Sequence, residues 1–298
     1  MAKASAFSEE SARQSLLLVC ERAGLDPDGA ELIRLGSNAV FRLTRPVIVR
    51  LSPGRDEMES AHRQVAVARW LEAERYPATR ALNIEQPIDC EGWVATFWES
   101  ASEREEYAPL VQVAELLHML HQLEAPRSLD LPEKRPFHEL DQRLSVLAQV
   151  DYSDAAFLHE RVTDLRTRYE ALDFVLPAGV IHGDANVGNV ILDRDGNPLL
   201  IDLDSFSVGP REWDLVQTAL FYERFGWHTE QEYRDFVEVY GFDIMRWPGY
   251  PVLADYREVA MTLWLARKAA SDPKAADEVR KRVAAIRTGG DRRDWAPF

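Results

Sequence analysis

Cysteine is scarce in this chain of 298 residues. Cys20 and Cys90 stand far apart and form no CxxC pair, which gives no support to a zinc knuckle or a dithiol redox motif. A reduced, cytoplasmic protein is the simplest expectation from that usage. Long apolar runs are missing as well. No segment approaches the roughly 18 apolar residues of a membrane span. The run Leu16-Leu17-Leu18-Val19 is far too short for the core of a signal peptide. Positive charge is in short supply: 35 Lys and Arg stand against 50 Asp and Glu, a net charge of −15. That balance argues against nucleic acid as a partner, because its affinity rests on basic side chains meeting phosphates. It would draw cationic ligands more readily, and it also serves plain solubility. What is present is ordinary for a globular protein, with 46% hydrophobic and 29% charged residues. At this length the chain can bury a core in one large domain or two modest lobes.

The hydrophobic period changes along the chain. Ser8 followed by Glu9 and Glu10 starts a helix that Gly24 ends. Leu32-Ile33 and Val40-Phe41 flank Gly36-Ser37-Asn38 and read as two strands joined at a tight turn. Val47 to Leu51 is a third strand, residues 57–74 a helix, and two further strands are expected near Leu82 to Gln86 and Trp93 to Trp98. Beyond Glu99 the pattern is helical, interrupted from Val180 to Asp202 by strands with a turn at Asp195-Gly196. The fold class is therefore α+β. The expected division is a strand-rich lobe over 1–98 and a mainly helical lobe over 99–298.

The informative segment is Val180-Ile181-His182-Gly183-Asp184-Ala185-Asn186-Val187-Gly188-Asn189-Val190, continued by Ile201-Asp202-Leu203-Asp204. A strand end delivers a polar loop, and the hairpin returns carboxylates beside it. Asp184, Asn189 and Asp202 can then converge, and oxygen ligands without cysteine suit a hard cation, Mg²⁺ or Mn²⁺. Phosphoryl transfer uses such a set: a metal to bridge phosphate oxygens and a carboxylate to orient the attacking hydroxyl and take its proton. Asp184 is the candidate base, and Asn189 and Asp202 are the candidate metal ligands. Asp204 is read either as a second metal contact or as a bracing carboxylate. His182 is read as structural.

His182-Gly183-Asp184, four residues, Asn189, then Ile201-Asp202 resembles the aminoglycoside phosphotransferase and choline kinase superfamily. The resemblance implies a two-lobe, protein-kinase-like fold, with ATP or GTP and Mg²⁺ used to phosphorylate a small-molecule hydroxyl. It implies that Asp214, in Gly209-Pro210-Arg211-Glu212-Trp213-Asp214-Leu215, braces the catalytic loop. It implies that the turn Gly36-Ser37-Asn38 covers phosphate, and that Arg50 grips phosphate where family members often carry lysine. Gln64 stands where an acidic partner for that cation is usual, with Glu59 as the alternative in a shifted helix register. Phe97 and Trp98 lie on the strand entering the nucleotide hinge, although strand alternation leaves one of the two for packing. Aromatic and acidic residues such as Tyr222, Glu223, Trp227, Tyr233, Asp255 and Glu258 would suit a cationic acceptor, an aminoglycoside or a relative. A metabolic kinase of choline, a sugar or an amino alcohol is the alternative, as is a non-catalytic nucleotide-binding regulator. Neither His-Arg-Asp nor Asp-Phe-Gly occurs, so a protein kinase is disfavoured.

Overall fold

Ser8 caps the first helix, α1 (Glu9–Ala23), by accepting from the Ser11 N–H, and Gly24 ends it in the left-handed conformation. The computed structural model describes residues 8–103, 106–145, 147, 151–269 and 272–296. The chain forms two compact units. The first comprises Met1–Pro109, Ala125–Leu131 and Val187–Phe206. The second comprises Leu110–Glu124, Pro132–Asn186 and Ser207–Phe298. The strand-rich unit thus runs past residue 98 and takes in the later hairpin. Backbone pairing accounts for this: the Ala108 N–H donates to Val190 O at 3.0 Å, and the Leu192 N–H to Glu106 O at 2.8 Å.

In the first unit, β1 (Glu31–Leu35), β2 (Ala39–Arg42), β3 (Val47–Pro53), β4 (Ile88–Cys90) and β5 (Trp93–Glu99) form an antiparallel sheet in the order β1-β2-β3-β5-β4. Alternation divides its faces. Phe41, Val49 and Phe97 pair across the sheet and bury themselves with Leu16, Val19 and Cys20 of α1. Val40, Arg50 and Thr96 pair across the other face, and α2 (Met58–Ala73) follows β3. The strand expected at Leu82 to Gln86 forms instead at Ile88–Cys90. The side chain of Gln86 takes the place of a ladder there. Its Oε1 accepts the Phe97 N–H at 2.7 Å and its Nε2 donates to Leu82 O and Phe97 O. The hairpin β7 (Val190–Leu192) and β8 (Pro198–Leu200) completes the unit.

The second unit is helical: α3 (Leu110–Leu120), α4 (Pro136–Leu144), α5 (Tyr152–Glu170), α6 (Glu212–Glu223), α7 (Glu230–Tyr240), α8 (Tyr250–Ala266) and α9 (Pro273–Thr288). A two-stranded ribbon of β6 (Gly179–Ile181) with β9 (Ser207–Gly209) joins them. β6 therefore pairs with β9 and not with the hairpin. Helix α8 packs against α4, α5, α6 and α9. Trp213 meets Tyr256 edge-on at 5.0 Å, and Phe137 meets Tyr256 at 5.3 Å. Such aromatic pairs fix the core beneath the loop that leaves β6.

Candidate active site

A cavity of about 470 Å³ lies in the first unit, within the size range of small-ligand pockets. Its apolar wall includes Val40, Ile48, Trp98, Ile191 and Ile201. Its polar end includes Arg50, Asn189 and Asp202. Period-two alternation decides between the two hinge aromatics. Trp98 lines the cavity, whereas Phe97 is fully buried in the core on the other face. Phe97 is accordingly a packing residue, which corrects its expected place in the nucleotide site. The backbone N–H groups of Glu99 and Ser100 are already used, donating to Arg80 O at 2.9 Å and Pro46 O at 2.8 Å. Gly36 and Ser37 form an exposed turn. A Cβ placed on Gly36 would meet open space.

Arg50 projects from the middle of the central strand β3. Its Nη1 donates to Asp204 Oδ1 at 2.7 Å, and its Nη2 donates to Asp204 Oδ2. Nη1 also lies 3.4 Å from Asp202 Oδ1 and 3.5 Å from Gln64 Oε1. With the Asn38 amide oxygen turned to the guanidinium, Asn38 accepts from Nη2 and Nε at 2.8 Å each. Burial alone would disfavour the Arg50 charge, but Asp204 and then Asp202 outweigh it and hold its pKa above the usual guanidinium value. Burial pushes the Asp204 carboxyl up from its ordinary value, Arg50 pulls against that, and the like charge of Asp202 adds to the rise. Glu59 is no partner of Arg50. Its carboxylate is 90% exposed and pairs with Arg63. Asp202 sits at φ +60°, the left-handed region that L-residues enter at a cost of about 1 kcal/mol or more, and which recurs at functional sites.

Asn189 and Asp202 share the cavity wall, held in register by the Ile201 N–H donating to Asn189 O at 2.9 Å. Among the described residues no group of three or more His, Cys, Asp or Glu is placed to hold a metal. An amide oxygen and a carboxylate nevertheless fit a hard divalent cation of the magnesium type. Such an ion takes one or two protein oxygens and completes its shell with water and substrate phosphate.

The second unit carries the loop after β6. Gly183 adopts φ +83°, a turn that favours glycine. Asp214 accepts the His182 N–H at 2.7 Å and the Gly183 N–H at 2.8 Å. His121 Nε2 lies 3.1 Å from the same carboxylate, and His121 Nδ1 is 2.7 Å from the Tyr240 hydroxyl. Asp214 is fully buried, which by itself raises a carboxyl pKa. The bonds from His121 and Gly183 and the nearby His182 reverse this and hold it below the usual carboxylate range. His182 is also fully buried, and its Nδ1 accepts the Asp184 N–H at 3.3 Å. Asn186 donates to Asp184 O at 2.9 Å. The Asp184 side chain is 47% exposed, so a solute can reach it.

Arg257 of α8 donates to Asp184 Oδ1 at 3.1 Å and to Gly183 O at 3.1 Å, and lies over the Trp213 ring. Trp213 donates to Gly183 O at 3.1 Å as well. Neither Arg257 nor His121 was singled out by motif. The available signal was the charged run Asp255, Arg257 and Glu258 inside the largely apolar helix α8, with Arg257 and Glu258 buried. The acidic residues expected to greet a cationic acceptor are largely paired within the unit. Asp255 accepts from Arg161, Arg168 and Arg224, and Glu258 from Arg292, with Arg224 3.1 Å away. Tyr222 and Tyr233 stack on each other at 4.8 Å, and Tyr250 donates to Glu223 at 2.7 Å.

A family model described as the phosphotransferase enzyme family matches residues 31–256. A search of curated proteins by sequence finds no match. Among solved structures, the chain is similar to amicoumacin kinase hAmiN, solved with AMP-PNP, Ca²⁺ and Ami, with a TM-score of 0.73 and 14% identity over 97% of this chain and 98% of that one. It is similar to a choline/ethanolamine kinase family protein from Mesorhizobium loti, with a TM-score of 0.60 and 20% identity over 93% and 94% of the two chains. It is also similar to spectinomycin phosphotransferase APH(9)-Ia with ADP and spectinomycin, at a TM-score of 0.62 and 16% identity over 92% and 98%. The fold is therefore the kinase-like α+β fold.

Proposed function

Because this chain belongs to the phosphotransferase enzyme family, and is a small-molecule phosphotransferase by that membership, we propose that it moves the γ-phosphoryl group of ATP or GTP to a hydroxyl of a small molecule. The observation that carries the reading is the cavity whose polar end holds Arg50, Asn189 and Asp202 against an apolar wall with Trp98. That division suits a nucleotide, whose base is flat and apolar and whose phosphates are anionic. The exposed turn Gly36-Ser37, with Asn38 beside Arg50, is assigned to phosphate. Asn189 and Asp202 would hold Mg²⁺, which when bound supplies positive charge to the phosphate oxygens.

Asp184 is the proposed base. It accepts the proton of the acceptor hydroxyl as the oxygen–phosphorus bond forms and the bond from the γ-phosphorus to the bridging oxygen breaks, the diphosphate leaving with that electron pair. Arg257, which donates to Asp184 Oδ1, orients the carboxylate for this step. Asp214 fixes the loop from which Asp184 projects. No covalent phospho-enzyme is required, since positioning and charge stabilisation supply the catalysis.

Two acceptor classes divide on one observation. A cationic acceptor, such as an aminoglycoside, suits the net charge of −15. The internal pairing of Asp255 and Glu258 with arginines favours the second reading, a metabolic kinase, and within it a neutral sugar over choline or an amino alcohol, which are cations. A coupled ADP- and GDP-release assay with Mg²⁺ over aminoglycosides, other hydroxylated antibiotics, choline and sugars tests the reading. Acceptor-stimulated release is expected from the wild-type protein. Nucleotide binding with no stimulated release across the panel would favour the non-catalytic regulator.

A further inference from the structure

The two carboxylates that follow β8 differ in what they touch. Asp202 lines the cavity and approaches Arg50 with one oxygen at 3.4 Å. Asp204 is absent from the cavity wall and engages both terminal nitrogens of Arg50 with its two oxygens. A guanidinium and a carboxylate in this fork arrangement make the stronger and more directional kind of ion pair. Gln64, on the helix after β3, offers Arg50 only a neutral oxygen at 3.5 Å, and its Nε2 is spent on Ser60 Oγ at 3.2 Å.

We propose that Asp204 is the charge partner and positioning residue of Arg50, holding the guanidinium at the polar end of the cavity for phosphate, and that Asp202 alone of the two carboxylates serves a metal. The inference rests on the kinase reading of the cavity. Four residues surround the Arg50 guanidinium: Asp204 at both Nη atoms, Asn38 at Nη2 and Nε, and Asp202 and Gln64 at the margin of Nη1. The short turn Leu203–Ser205 ties that charge to the same hairpin that presents Asn189 and Asp202. A phosphate group arriving at Arg50 meets a cation whose position is already set, so little rotamer freedom is lost on binding. Lysine at position 50 could not bridge both Asp204 oxygens, which gives arginine there a structural reason.

The test is titration of the full-length protein with AMP-PNP, without metal and over a Mg²⁺ series, for wild type, Asp204→Asn, Asp204→Glu and the double variant Gln64→Glu/Asp204→Asn, each with a thermal melt. The expected result is a loss of about tenfold in metal-free affinity for Asp204→Asn, the scale of a lost charge-assisted pair. Half-saturating Mg²⁺ should be unchanged, and Gln64→Glu should restore most of the loss by returning a carboxylate to Nη1. If Asp204→Asn fails to fold, Asp204→Glu carries the test: metal-free affinity within about threefold of wild type and unchanged Mg²⁺ half-saturation fit the proposal. A shifted Mg²⁺ half-saturation with metal-free affinity intact would make Asp204 a metal ligand and overturn it. So would Asp204→Asn binding as wild type does, or no recovery in the double variant. Those outcomes leave the kinase reading standing, whereas a wild-type protein that binds no AMP-PNP takes down both.

Discussion

The polar end of the cavity and the loop after β6 hold charge in opposite ways. Around Arg50 the charges are only partly withdrawn from water: the guanidinium is 19% exposed and the Asp202 and Asp204 side chains 39% and 33%. Around Asp214 they are withdrawn completely, and the carboxylate accepts from the His182 and Gly183 N–H groups and meets the buried His121. The first arrangement stays open to solvent, so an anionic ligand can reach Arg50 while Asp204 holds it. The second cannot exchange partners without leaving buried N–H groups unpaired, at about 1–3 kcal/mol each. On the proposed reading the comparison teaches a division of labour: a solvent-accessible charge network assigned to phosphate and a buried frame for the residue proposed as base.

The sharpest way to break the comparison is at Asp184. Asp184→Asn removes the base and leaves the frame, so turnover should fall by roughly 10²–10⁴-fold while AMP-PNP affinity changes little. Single-turnover kinetics beside a binding titration reads both. On the nucleotide side, Asp202→Asn should abolish the metal-dependent part of nucleotide binding and leave the melting temperature close to wild type, because the side chain is on the cavity wall and asparagine tolerates the left-handed backbone there.

Asp214→Ala attacks the frame. It strands the His182 and Gly183 N–H groups and should cost about 3–5 kcal/mol in chemical denaturation, the scale of a broken buried ionic network. The same residue sets a pH dependence. Its folded pKa lies below the ordinary carboxylate value, so its stabilisation is present above about pH 4 and is lost as pH falls through the folded pKa. Asp214→Asn should flatten that acid limb in pH-resolved melts.

Trp98 and Phe97 sharpen the comparison within one strand. Phe97→Ala should destabilise by about 3–5 kcal/mol as a core truncation. Trp98→Ala truncates a buried side chain as well and should also destabilise, but it alone of the two should weaken nucleotide affinity, by about tenfold. Equal effects of the two on stability and on binding would erase the face assignment. Gly36→Ala carries the smallest effect. The added Cβ meets open space, so the melt should be unchanged and the loss confined to AMP-PNP affinity, a few-fold at most.

Much of the fold was legible because its signals are local. Ser8 and Gly24 bound α1, and the alternation of Val47, Val49 and Leu51 gives β3 its buried face. The motif residues were legible because their spacing is short: His182 to Asn189 is one loop, and Asp202 follows one hairpin. What was not legible depends on distant partners. The misplaced strand at 82–86 turned on Gln86 reaching the Phe97 backbone. The contact of Arg257 with Asp184 spans 73 residues and that of His121 with Asp214 spans 93, separations that no local pattern records. The pairing of Asp255 was not legible for the same reason, since its arginines come from α5 and from the end of α6. Nor does any local pattern record the fork between Asp204 and Arg50, which are 154 residues apart.

The central claim is transfer of phosphoryl from nucleotide to a hydroxyl with Asp184 as base. Mass spectrometry of acceptors incubated with ATP or GTP and Mg²⁺, wild type beside Asp184→Asn, tests it most directly. The account predicts an acceptor that gains one phosphoryl group with wild type and gains it at least about a hundredfold more slowly with the variant. Equal phosphorylation by both proteins, or nucleotide consumed at the same rate with no acceptor modified, would contradict it.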